Sequence, residues 1–111
     1  MISSQMLKGT LEGCILSIID KKETYGYEIS QKLTEYGFGK IAEGTIYPLL
    51  LRLEKNGLIS ATYRQSDQGP KRKYYSLTQD GKNEYLKFIE SYTELTTAVN
   101  TLLADNKGEN L

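Results

Sequence analysis

The last third of the chain constrains everything before it. Tyr85, Phe88, Tyr92, Leu95, Val99 and Leu102 follow one another in steps of three and four residues, and Ile89, Ala98 and Leu103 widen the stripe. That spacing keeps one seam of a helix turned toward a partner over almost three heptads. With Thr78 as N-cap and Asp80 in the first turn, the pattern predicts a helix over residues 78–104, roughly 40 Å long at about 1.5 Å per residue. In a chain of 111 residues, one small domain precedes it. Such a domain is too short to cover that length, so the far end is expected to pack on another chain, and folding back across its own domain is the alternative. The dimerisation residues are Tyr85, Phe88, Ile89, Tyr92, Leu95, Val99 and Leu102; residues 105–111 read as a polar, frayed tail.

Upstream, Leu7, Leu11, Cys14, Ile15 and Ile18 keep helical spacing and predict a first helix over residues 4–19. Its other flank carries Met6, Gly9, Thr10, Gly13 and Ser17. Interior glycines cost a helix about 0.5–1 kcal/mol each relative to alanine. Two of them suggest that something approaches this flank closely, either a ligand or another helix of the same domain. YGYEISQKLTEYG predicts a second helix over residues 25–35, stopped by Gly37. TIYPLLLRLEKNG predicts a third, with Ile46, Leu49, Leu50 and Leu53 inward, Thr45 as N-cap, Pro48 in the first turn and Gly57 as the left-handed cap. Its outward face is Thr45, Tyr47, Arg52 and Lys55.

LISATYRQ and RKYYSLT alternate as strands do, and SDQGPK between them is a turn. The resulting hairpin carries Arg64, Lys71, Arg72 and Lys73 near its tip. Tyr75 shares parity with Leu77 and is expected in the core, with Tyr74 facing outward.

Charge narrows the partner. The whole chain balances fourteen basic against fourteen acidic residues, but residues 40–73 hold seven basic and three acidic, and residues 74–111 three basic and six acidic. A neutral chain with one basic sector presents a local positive surface to phosphates. No histidine is present and Cys14 stands alone, so no metal cluster, cofactor or disulfide is expected, and Cys14 reads as a buried inert thiol. Acids such as Glu23 and Glu28 have no apolar pocket to shift them, and no base activates Cys14; the chain is not read as an enzyme. Without a long apolar run or a signal-peptide start, it is expected to be cytoplasmic with no membrane partner.

Three short helices followed by a basic hairpin give the order of a winged helix: a mainly α, α+β fold with a DNA-binding unit over residues 1–77, a dimerisation helix over 78–104 and a tail over 105–111. The third helix would enter a major groove while Lys71, Arg72, Lys73 and Arg64 track the backbone. Arg52 and Lys55 would meet phosphates or guanine edges, with pairing of Arg52 and Glu54 to neighbouring side chains as the alternative, and the hydroxyls of Tyr47 and Tyr74 would donate to phosphate oxygens.

The stretches YGYEISQKL, EGTIYPLLLRLEKNGLI and GPKRKYYSLTQDG closely resemble the PadR family of bacterial transcriptional regulators, from about Met6 to Leu103, in its short branch with one C-terminal helix. The resemblance implies a homodimeric repressor that binds double-stranded DNA and is released by a small molecule; two copies of the third helix about 34 Å apart would then call for an inverted-repeat operator. It places DNA contact on Thr45, Tyr47 and Pro48 and on Lys71, Arg72 and Lys73. Some short members resemble multidrug sensors, which stack a flat aromatic ligand between subunits. Tyr92 stands where the stacking aromatic would be, with Met6, Gly9 and Gly13 as lining and Glu12 as partner for a cationic ligand. Drug-sensing members carry tryptophan at that place, so the stacking area here is smaller. The rival reading from another class is a dimeric winged-helix adaptor that binds protein and no DNA.

Overall fold

The computed structural model describes residues 1–67 and 69–110, with side chains through Asn106. Among these residues the chain begins with α1 (Ser4–Leu7), whose N-cap Ser3 accepts the Met6 N–H on its hydroxyl at 3.2 Å, and α2 (Leu11–Lys21). The single helix expected over residues 4–19 is therefore broken. Gly9 takes φ 94° between the two pieces, a conformation that L side chains rarely adopt, and no atom lies within 4 Å of the place its Cβ would occupy. It serves a turn of the backbone and not a close approach. Gly13 is the reverse case, since a Cβ there would stand 2.3 Å from the Phe88 ring. What approaches that flank is this chain's own C-terminal helix. Gly13→Ala is expected to push Phe88 away and lower stability by about 1–3 kcal/mol, read as an earlier urea midpoint; an unchanged midpoint would contradict the packing.

A two-residue strand, β1 (Thr24–Tyr25), precedes α3 (Gly26–Leu33), which leads into a wide turn over Thr34–Phe38. The α-helix thus ends at Leu33, earlier than the expected residue 35, and Gly37, at φ 102°, breaks the helical geometry inside the turn. The strand is too short to have a sequence signature and displaces the helix start from Tyr25 to Gly26.

Helix α4 (Glu43–Lys55) begins earlier than Thr45. Ala42 is the N-cap and provides no side-chain hydrogen bond, while Glu43 places a carboxylate in the first turn, where the helix dipole favours it. Thr45 is thus inside the helix and Pro48 lies beyond the first turn, on the exposed side, where it has no N–H to donate to the Gly44 carbonyl. The C-terminus ends as anticipated: Gly57, at φ 76°, donates to the Glu54 carbonyl at 3.0 Å and Leu58 to the Leu53 carbonyl at 2.9 Å.

Strands β2 (Ile59–Ser66) and β3 (Gly69–Leu77) pair antiparallel, Ile59 opposite Leu77 and Ala61 opposite Tyr75, and β1 adds to the other edge of β3 in the order β1-β3-β2. Gln68, in the turn read from the sequence, lies outside the described residues. The core gathers Leu11, Ile15, Leu16, Ile19, Ile29, Leu33, Ile41, Ile46, Leu50, Leu53, Ile59 and Tyr75 between helices and sheet. Tyr75 is buried as its parity required. Leu16 and Ile19 are deeper than Cys14 and Ile18, which rotates the buried face of α2 from the stripe expected.

Helix α5 (Gln79–Asn110) opens on Thr78, whose hydroxyl accepts the Gly81 N–H at 3.0 Å, confirming the cap. It runs past residue 104, so residues 105–110 are helical where a frayed tail was expected; Leu111 lies outside the described residues. Its first turns are fastened to α2: Lys82 bonds Asp20 at 2.8 Å, the hydroxyls of Tyr85 and Ser17 meet at 3.0 Å, and Phe88 covers Gly13. Beyond Phe88 the helix leaves the domain, and the molecule measures 59 × 29 × 20 Å. Folding back across the domain does not occur. No helix among the described residues is long and apolar enough to cross a membrane.

Candidate nucleic-acid interface

The outward side of α4 faces the hairpin across an open cleft of about 520 Å³, lined by Tyr25, Gly26, Tyr27, Tyr47, Leu51, Ser66, Pro70, Lys71, Arg72, Lys73 and Tyr75. Three local causes build it. Tyr47 lies so close over Gly26 that a Cβ there would be 2.7 Å from its ring, so the glycine lets the start of α3 meet α4. Tyr25, held by pairing with Tyr74 in the sheet, packs edge-on against the Tyr74 ring at 5.3 Å. The Arg72 guanidinium lies over Tyr25, 4.2 Å from its ring centre, which holds the tip-side half of the hairpin beside the start of α3.

The candidate residues separate into groups. Tyr47, Pro48 and Lys55 are exposed on the outward side of α4, and Lys71 and Arg72 on β3. Among the described residues, Lys55, Lys71 and Arg72 have no carboxylate within ion-pair distance. The other cations are committed within the chain. Arg52 donates from Nε to Glu12 at 2.6 Å, Arg64 pairs with Glu23, and Lys73 pairs with Glu54 at 2.8 Å. The hydrogen bond to the Glu54 carboxylate holds the Lys73 ammonium above its ordinary pKa. Arg64 also lies over the Tyr74 ring, 5.0 Å from its centre, so the half-buried Tyr74 braces the hairpin.

Thr45 and Arg52 turn away from this cleft. With Leu49 they border a second opening of about 690 Å³, shared with Ile2, Leu7, Gly9, Leu11, Glu12 and Ile41. The five ligand candidates do not converge on one cavity within a chain: Gly9 and Glu12 border this opening, Gly13 is covered by Phe88, and Met6 and Tyr92 are exposed. Glu12 is occupied by Arg52, and Tyr92 stacks on Phe88 at 5.9 Å. Cys14 is half-buried, short of the full burial expected, and burial pushes its thiol pKa up. No group of three potential metal ligands occurs among the described residues.

Sequence reasoning passed over Leu51, Tyr25 and Gly26. Leu51 had a signal, because the stripe of Ile46, Leu50 and Leu53 leaves it on the outward side. Tyr25 and Gly26 had none, since their roles come from a two-residue strand and a distant tyrosine.

Residues 15–87 match the model of the transcriptional regulator PadR-like family. The chain is 54% identical to a PadR-like transcriptional regulator of Bacillus cereus whose crystal structure superposes with a TM-score of 0.81, covering 90% of this chain and 97% of that one. A transcriptional regulator of Mycobacterium tuberculosis is 37% identical over 77 residues, 69% of this chain and 70% of its own length. The chain is also similar to Bacillus subtilis PadR, solved in complex with operator DNA, at 29% identity and a TM-score of 0.67, over 72% of this chain and 46% of that one.

Proposed function

The chain belongs to the PadR-like family of transcriptional regulators, and on that premise we propose that it binds operator DNA as a homodimeric repressor which a small aromatic ligand releases. One observation carries the DNA contact: Lys71 and Arg72, free of carboxylates among the described residues, stand across a cleft from the exposed side of α4. A major groove about 12 Å wide admits α4, and Lys71, Arg72 and Lys55 then reach flanking phosphates. The solved operator complex of Bacillus subtilis PadR supports the same use of a similar fold. Tyr47 and Pro48 keep their proposed place at the DNA, whereas Arg52, Arg64 and Lys73 contribute through the ion pairs that shape the surface, and Thr45 borders the second opening.

The exposed seam of α5 supports the dimer. Pairing through it would set two copies of α4 one helical turn apart, about 34 Å, so the operator is an inverted repeat. Release by a ligand between the subunits rests on Tyr92 and Met6, both exposed on elements that a second chain could meet. Such a ligand must favour the non-binding arrangement of the dimer by several kcal/mol.

Selection of binding sites from sheared genomic DNA of the source organism tests the reading. Enrichment of an inverted repeat near promoters, with affinity that falls steeply as salt rises, is the expected result. If the folded chain enriches nothing at low salt, the reading fails. The ion pairs add a finer expectation. Lys71→Ala should flatten the plot of log affinity against log salt by about 1 per subunit. Lys73→Ala should flatten it less, because Glu54 already holds that ammonium. Equal changes would show that Lys73 leaves Glu54 for a phosphate.

A further inference from the structure

The outward stripe of α4 runs through Gly44, Pro48, Leu51 and Lys55, in steps of four, three and four. Leu51 lies in its middle, 60% exposed, whereas its inward neighbours Leu50 and Leu53 are at most 1% exposed. It borders the cleft opposite the hairpin cations. A large aliphatic side chain adds nothing to a surface that meets only phosphates.

The other groups along the stripe leave little for hydrogen-bonded readout. Gly44 has no side chain and Pro48 no polar side-chain atom. Arg52 is held by Glu12, and the Tyr47 ring is fixed over Gly26. Lys55 lies at the end of the helix. The centre of the stripe therefore offers the floor of a groove apolar contact alone. Base pairs present donors and acceptors in the major groove, and their one apolar feature there is the C5-methyl group of thymine.

We propose that Leu51 is a specificity-determining residue, reading thymine through its methyl group. The inference rests on the DNA-binding reading and deepens it: each half-site carries a thymine, on either strand, under the middle of α4.

The test uses the full chain and its selected operator, with each thymine replaced in turn by deoxyuridine, which lacks only the methyl. At one or two positions per half-site, the wild type is expected to lose affinity about three- to fivefold, the worth of one buried methyl. Leu51→Ala should bind the thymine operator more weakly by at least that factor and show no thymine-to-uracil difference at those positions. Leu51→Met, which keeps apolar reach, should restore the difference in part. Because Leu51 is exposed, unfolding is not expected, and the uracil scan of the wild type needs no variant. A wild type indifferent to every methyl overturns the proposal while leaving DNA binding intact. So does a Leu51→Ala profile identical to the wild type. A folded protein that binds no DNA at low salt overturns the DNA-binding reading and this inference together.

Discussion

Lys71→Glu combined with Arg72→Glu is expected to lower operator affinity by about 10³-fold or more near physiological salt while the chain stays folded. The magnitude follows from counterion release. A phosphate contact contributes a slope of about 0.9 in log affinity against log salt, and a dimer loses four such contacts, which is about three decades at 0.15 M salt. Repulsion between the new carboxylates and the backbone adds to that loss. The fold is spared because both side chains are exposed and neither has a carboxylate partner among the described residues. What disappears inside the protein is the stacking of Arg72 on Tyr25, worth about 0.5–1 kcal/mol at an exposed site. Fluorescence anisotropy over a salt series reads the affinity, and circular dichroism with gel filtration reads the fold and assembly. Retained affinity in a folded protein would remove the hairpin from the interface. Lys73 is a poorer choice for this experiment: reversing it sets a second carboxylate beside Glu54 and mixes a structural penalty with the loss of contact.

The difference between Lys71 and Lys73 also marks how far the sequence could be read. Repeating patterns were legible: the stripe of Ile46, Leu50 and Leu53, the alternation that buries Tyr75, the left-handed turn at Gly57 and the cap at Thr78 all follow from local periodicity or backbone chemistry. The charge of the middle segment was legible only as a sum. Its partition depends on Glu12, forty residues from Arg52, and on Glu54, nineteen from Lys73, and nothing local announces such pairs. The two glycines of the first helical segment show the same limit. Both lower helix propensity equally, yet Gly9 is needed for its positive φ and Gly13 for the Phe88 ring. Thr45 looked like a cap because threonine suits that position and would have left Pro48 in the first turn; the helix instead starts at Glu43 and carries Pro48 inside it on the exposed side. The adaptor reading is decided by the binding-site selection: it is the one left standing if the folded chain enriches no DNA at low salt.

Leu95→Glu combined with Leu102→Glu is expected to convert the protein to a monomer and to weaken operator binding by about 10²- to 10⁴-fold, the advantage gained when two linked modules bind together. Helix α5 is 32 residues long, about 48 Å, and its intrachain packing is confined to the part that includes Lys82, Tyr85 and Phe88. Past that point Tyr92, Leu95, Val99 and Leu102 are between 42% and 61% exposed along one seam. Burying a leucine is worth about 1.5–3 kcal/mol, so the seam of two chains together contributes enough to hold a dimer. Four carboxylates placed inside such an interface would each face desolvation without a partner. Light scattering after gel filtration should give a mass near 12.6 kDa for the variant and twice that for the wild type. Thermal unfolding should move to lower temperature and lose its dependence on protein concentration, because a dimer formed only from folded chains stabilises them by mass action; the monomer itself should stay folded, since neither side chain belongs to the core. The monomer should still prefer thymine at a half-site, since Leu51 lies on α4 and the altered residues on α5. A variant that remained dimeric would place the interface elsewhere and remove the reason for expecting two α4 copies one helical turn apart.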